Sequence, residues 1–141
     1  MALRVVAGIL SRGGRFLVCQ RRGDGAFPCK WEFPGGKIET GEEAAAALGR
    51  ELAEELDIVV EDAREVFRHV HDYGDGTRVE LAFFDVRAYA GEPRNRVFRR
   101  IAWVAADEFD GLDFLEGDLP LIRELRSGGL ERFSRRKGFS T

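Results

Sequence analysis

Cysteine is scarce: Cys19 and Cys29 are the only two in 141 residues, and no CxxC or Cys/His spacing accompanies them. That excludes a zinc ribbon or a disulfide framework, and both are expected to be reduced thiols. No run approaches the roughly eighteen apolar residues that span a bilayer, and Met1-Ala2-Leu3-Arg4 lacks the layout of a secretory leader. No membrane partner and a cytoplasmic location are expected. Positive charge is not in excess either. The net charge of -3 gives no broad attraction for duplex nucleic acid, so no stable nucleic-acid partner is expected, and a polyanionic substrate would need local cations or a metal. No internal repeat and no linker-like gap occurs. We expect one domain over residues 1–128 and a basic, flexible tail over 129–141, where Arg132, Arg135, Arg136 and Lys137 gather.

What is present is a sequence of alternating element types. Val5, Val6, Ile9 and Leu10 form an apolar run ending at Arg12-Gly13-Gly14-Arg15, and Phe16-Leu17-Val18-Cys19 follows, which is a hairpin pattern. Gly23 to Lys30 reads as a loop, and Trp31-Glu32-Phe33 as a short extended piece before Pro34-Gly35-Gly36. From Glu43 to Leu56 the residues Ala45, Leu48, Leu52 and Leu56 recur at helical spacing, with Thr40 and Glu43 placed as a capping box. Strands are predicted over Glu65–Tyr73, Arg78–Tyr89 and Arg99–Val104. A final helix is predicted over Leu119–Arg126, with Asp118 as its N-cap and Pro120 in its first turn. The order strands, helix, strands, helix predicts an α/β (α+β) domain with a mixed sheet between helices.

The face of the first helix opposite its leucines carries Glu51, Glu54 and Glu55 at i, i+3 and i+4. Three acids alone are ordinarily a solvated helix face. Here Gly35-Gly36 and the turn leading into the helix bring main-chain groups beside them. Carboxylates with a main-chain carbonyl make a hard-oxygen site suited to Mg2+, with Mn2+ as the alternative, and a carboxylate there could orient or deprotonate water against a phosphoanhydride.

Gly36, Glu42 and the run Arg50-Glu51-Leu52-Ala53-Glu54-Glu55 resemble the Nudix box, matching every fixed type except the late glycine, which is Asp57. Six such matches at about 7% per position have a chance probability on the order of one in ten million. Gln20-Arg21-Arg22, Trp31 through Glu39, Gly91-Glu92-Pro93, Trp103 and Asp118-Leu119-Pro120-Leu121-Ile122 extend the resemblance to MutT-type members of that family over residues 3 to about 126. The resemblance implies a Nudix-type α/β/α sandwich with a mixed β-sheet. It implies metal held by Gly35, Glu51 and Glu55 with Glu54 in support, and Glu51 as the base. We read Arg50 as pairing with Glu54, four residues on, and Glu42 as stabilising the loop.

In the same resemblance Arg22 and Phe33 border the nucleotide and Asp118 reads the base edge, with Glu32, Pro34, Gly35, Lys37 and Arg78 counted in the substrate site. Each has a plainer reading: Arg22 as a solvated strand end, Phe33 as core, Asp118 as a helix cap, Lys37 and Arg78 as surface charge. The implied reaction is hydrolysis of a (deoxy)nucleoside triphosphate to monophosphate and pyrophosphate, sanitising oxidised nucleotides such as 8-oxo-dGTP, by a monomer or homodimer. CTP, dCTP or their methylated forms, another nucleoside diphosphate-X compound, and a catalytically weak nucleotide-binding module are the rival readings. MutT-type members carry a further glutamate in the loop after Gly-Glu-Pro, where this chain has Val97 with Arg99 and Arg100 nearby. Glu92 is the nearest substitute.

Overall fold

The computed structural model describes residues 2–130, so the basic residues of the expected tail, Arg132 to Lys137, lie outside the described residues. In chain order the strands are β1 (Ala2–Ile9), β2 (Ser11–Arg12), β3 (Arg15–Gln20), β4 (Trp31–Glu32) and β5 (Gly35–Lys37). Helix α1 (Ala44–Leu56) follows, then β6 (Val59–Asp72), β7 (Arg78–Ala90), β8 (Arg100–Ala105) and helix α2 (Leu119–Ser127). One sheet runs β5-β1-β7-β6, with β1 and β7 parallel and the other pairs antiparallel. In the second, antiparallel sheet β3 is the hub, pairing with β2, β4 and β8. The fold is therefore the mixed α+β arrangement expected, with its strands divided between two sheets.

The two-residue period of the central strands divides the core in two. Val6, Ala82, Phe84 and Val86 point to one side, where Leu48, Leu52 and Leu56 of α1 pack on them. Ala7, Ile9, Leu81 and Phe83 point to the other, against Leu121 and Ile122 of α2 with Phe33, Phe109 and Phe114. Truncating one such leucine to alanine costs ~2–5 kcal/mol, against a usual domain stability of ~5–15 kcal/mol. A strand covered on both faces is apolar at consecutive positions, which is why β1 and β7 read as continuous runs.

Several boundaries differ from the sequence reading for identifiable reasons. Thr40 does not cap α1: the residue preceding the helix is Glu43, with no side-chain cap. Residues 39–42 instead form a turn closed by Glu42 N–H to Glu39 O (2.9 Å) and Glu39 N–H to Glu42 Oε1 (3.0 Å). Strand β6 begins at Val59, six residues before the predicted start, because register shifts between Val60 and Asp62, Asp62 and Ala63, and Glu65 and Phe67 break its two-residue period. Asp57 ends α1 in the left-handed conformation (φ 58°, ψ 40°), as an aspartate in the glycine position can. The amides of Arg94 and Arg96 donate to Leu56 O (2.8 Å) and Glu55 O (3.0 Å), satisfying the last carbonyls of that helix.

Candidate active site

One cavity of about 940 Å3 runs from the N-terminal half of β1 to the start of α2. Its acidic end is built by α1 and β5. Glu51 and Glu55, four apart on the helix, face Gly35 and Gly36 of the short strand β5. The Gly35 amide donates to Glu55 Oε1 at 3.1 Å. A side chain at Gly35 would strike Val6 O and one at Gly36 would strike the Glu51 carboxylate, so both glycines are set by close approach. Glu55 is pushed up to about 9, first by burial and then by its neighbours Glu51 and Glu32. Glu51 is raised as well, by burial, although Arg50 Nη1 donates to its Oε1 at 2.7 Å. Two carboxylates crowded this way disfavour their charged forms until a cation joins them.

Arg50 makes its main contacts elsewhere than expected. Its guanidinium donates to Glu42 Oε2 (2.9 Å), Glu42 Oε1 (3.0 Å), Glu51 Oε1 (2.7 Å) and Lys37 O (3.0 Å), while Glu54 stands 3.6 Å away in an ion pair. Glu42 is lowered to about 2 by that contact, which fits its expected part in holding the loop. The three box acids do not share one patch. The Glu54 side chain is 59% exposed and stands outside the cavity, because i+3 and i+4 lie about 100° apart around a helix.

The other end of the cavity is made by strand β4 and the chain entering α2. Trp31 N–H donates to Asp113 O (2.8 Å) and Leu115 N–H to Trp31 O (3.0 Å), which draws residues 113–118 alongside β4. Asp118 precedes α2 but makes no side-chain cap; its Oδ2 accepts from Phe33 N–H at 3.3 Å. At 4% exposure its carboxyl is pushed up to about 8, by burial first and then by Glu32. Glu32 is likewise raised by burial, and both its oxygens lie 3.2 Å from Arg21 Nη1.

Strand parity sorts the remaining expectations. Glu32, Phe33, Gly35, Lys37 and Asp118 line the cavity, whereas Arg22, Pro34 and Arg78 do not. Arg22 Nε donates outward to Val97 O at 2.9 Å, and its neighbour Arg21 occupies the cavity wall. Val79 and Leu81 of β7 face the cavity, so Arg78 faces away. Phe33 is both core and wall: 2% exposed, stacked on Phe114 at 5.9 Å, and lining the cavity. Glu92 is not free to replace the acid absent at Val97, since Arg12 holds both its oxygens at 3.0 and 3.1 Å and lies 4.4 Å over Trp103. Arg21, Phe27 and Tyr73 line the cavity without having been singled out; counting two residues on from Cys19, which pairs with Glu32, would have preferred Arg21 to Arg22.

The close approach at Gly36 gives a direct test of the acidic end. Gly36→Ala should displace the Glu51 carboxylate, reducing kcat about a hundredfold while the thermal midpoint moves by only a few degrees. Full activity in this variant would show that the placement of Glu51 does not matter.

An acid-bearing helix facing a glycine strand is thus joined by one cavity to a buried carboxyl at the start of α2. The NUDIX domain profile matches residues 1–125. A Mycobacterium tuberculosis protein with the provisional name 8-oxo-dGTP diphosphatase 2 is 40% identical over 121 residues, 86% of each chain. The CTP pyrophosphohydrolase of Escherichia coli is 31% identical over 120 residues, 85% of this chain and 88% of that one. A solved MutT structure, from work on Aliivibrio salmonicida and Vibrio cholerae, superposes with a TM-score of 0.75 at 29% identity, covering 90% of this chain and 98% of the other. The chain belongs to the Nudix family and is a hydrolase of its MutT type.

Proposed function

We propose that the protein hydrolyses a (deoxy)nucleoside triphosphate to the monophosphate and pyrophosphate, with Mg2+ as its ion. The carrying observation is that one cavity joins the Glu51–Glu55 pair to the buried Asp118, separated by a wall of apolar strand residues. That layout suits a ligand with a polyanion at one end and a hydrogen-bonding planar group at the other. The donor set fits a hard divalent cation: two carboxylates that repel each other, a glycine strand whose main chain the Glu51 carboxylate closely approaches, and no soft ligand. Among the described residues no three acidic, histidine or cysteine side chains enclose an ion by themselves. Glu51, Glu55 and the Gly35 main chain would therefore share the ion with substrate phosphates, as Mg2+ prefers. The bound cation would neutralise phosphate charge and polarise the phosphoanhydride.

The chain's own groups do the rest. Glu51, to which Arg50 donates, would accept a proton from attacking water. Asp118, held by the Phe33 amide, meets the base edge, and the apolar floor of Val79 and Leu81 excludes water from the base. The names of the relatives support two substrates, an oxidised guanine nucleotide and CTP, and 940 Å3 suits either. The test is product-resolved hydrolysis of 8-oxo-dGTP, dGTP, CTP, dCTP and ADP-ribose with Mg2+ and with chelator. Monophosphate and pyrophosphate are expected from a triphosphate with Mg2+ alone. No release above the chelated control from any of them would refute the reading, and preference for ADP-ribose would redirect it.

A further inference from the structure

The face of β6 turned toward α2 begins as core, where Val66 and Phe67 pack into the second half of the interior. The next positions on that face are His69 and His71, opposite Leu81 and Val79 of β7, and then Tyr73 just past the end of the strand. Their rings meet in series, His69 to His71 at 5.7 Å and 47°, and His71 to Tyr73 edge-on at 4.4 Å and 76°. Packing alone does not ask for histidine here. Among the described residues the buried Nε2 of His69 finds no hydrogen-bond partner. Burial first, then His71 and Arg123, hold that ring below its ordinary range, so it is uncharged near neutrality.

The row leans on the turn Glu116–Asp118. Gly117 comes so close that an added Cβ would stand 2.9 Å from Leu81 Cδ1, 3.4 Å from the Tyr73 hydroxyl and 3.9 Å from His71 Cβ. Asp118 follows directly, its side chain steadied by a long bond from the Phe33 amide at 3.3 Å. Where that carboxyl points therefore depends on how the turn is seated. Tyr73 lines the cavity, and His71 does not.

We propose that His71 is a positioning residue: its ring presses Tyr73 against Gly117, seats the turn and thereby sets the aim of the Asp118 carboxyl at the base. The proposal rests on the nucleotide reading given above. A short edge-on ring contact is directional, so the angle of the Tyr73 ring follows that of His71. An error of about 1 Å in a group that must meet one hydrogen-bonding atom costs most of its discrimination. His69 backs His71 on the side of Arg123. The acidic end lies across the cavity, so the grip on phosphate is independent of this row.

The test is a double-mutant cycle in the full chain with Mg2+, reading the ratio of kcat/KM between 8-oxo-dGTP and CTP. His71→Ala and His71→Gln, which lose the flat ring, should each move that ratio about tenfold toward unity, through KM. Their kcat and their calorimetric binding of inorganic tripolyphosphate should stay within about twofold of wild type, and His71→Phe should keep the wild-type ratio. In the Asp118→Ala background, His71→Ala should change the ratio by less than about twofold, because the group it positions is gone. An unchanged ratio in the folded His71 variants would overturn the proposal. So would equal loss for both nucleotides, the mark of a scaffold role, or a full additional change on top of Asp118→Ala. If wild type binds nucleoside monophosphates without turnover of the triphosphates, the hydrolytic reading fails while the ratio of binding constants still judges His71; if wild type binds no nucleotide, both fail.

Discussion

Glu55→Gln is expected to lower kcat/KM on the order of a thousandfold or more while leaving the fold intact. The carboxyl is buried, faces Gly35 and is pressed by Glu51 and Glu32, so in the metal-free protein its charged form carries an energetic cost that a proton or a cation relieves. Glutamine keeps the shape and removes the charge. Two thermal measurements accompany the kinetics. Added Mg2+ should raise the midpoint of wild type and not that of the variant, by ligand linkage. Without metal near pH 8.5, the variant should melt a few degrees higher than wild type, as replacements of strained functional groups often do. The sign follows from a native pKa of about 9 against an ordinary 4.5. Stability from the protonated form is complete below the ordinary value and lost as pH rises through about 9, a loss that glutamine cannot suffer. Retention of wild-type turnover by Glu55→Gln would remove the acidic end from the mechanism.

Asp118 sets the second large effect. Burial first, and Glu32 next, push its carboxyl up to about 8, so near neutrality it is an uncharged group able to donate to a base. KM should be flat below about pH 7 and rise about tenfold per unit well above pH 8, where that proton is lost. Asp118→Asn keeps a donor without titrating, and its KM should stay flat across the range. Asp118→Ala should change the ratio of kcat/KM between 8-oxo-dGTP and CTP by about 10- to 100-fold, the scale of one lost buried hydrogen bond. The folding contribution has the same sign: complete below the ordinary 3.8 and lost as pH rises through about 8. Identical pH profiles for wild type and Asp118→Asn would show that this carboxyl does not contact the base.

The legible parts of the molecule were those governed by local period. The leucine spacing of α1, the hairpin at Arg12–Arg15 and the continuous runs of β1 and β7 follow from chain geometry, and they carried the fold and the pair Glu51 and Glu55. What the sequence concealed depends on neighbours distant along the chain. The bulges of β6 are set by its pairing with β7. The exit of Glu54 from the acid cluster depends on which helix face meets β5. Whether Arg21 or Arg22 faces inward depends on where β3 ends against β4, and the meeting of Phe27 with Tyr73 joins two loops that no motif links. Asp118 was visible at the helix start, but its turn toward Phe33 comes from the contact of residues 113–115 with Trp31.

The loop through Val97 is held almost wholly by its main chain and its flanking residues. Asn95 closes on Phe98 in both directions at 2.8 and 2.9 Å, the amides of Arg94 and Arg96 meet the end of α1, Arg99 N–H donates to Gln20 O, and position 97 supplies only a carbonyl to Arg22. The side chain there is 43% exposed. In evolutionary terms the site is a free slot: a single substitution could gain or lose an acid at that point without altering the fold, so lineages could drift between the two states while keeping a common scaffold.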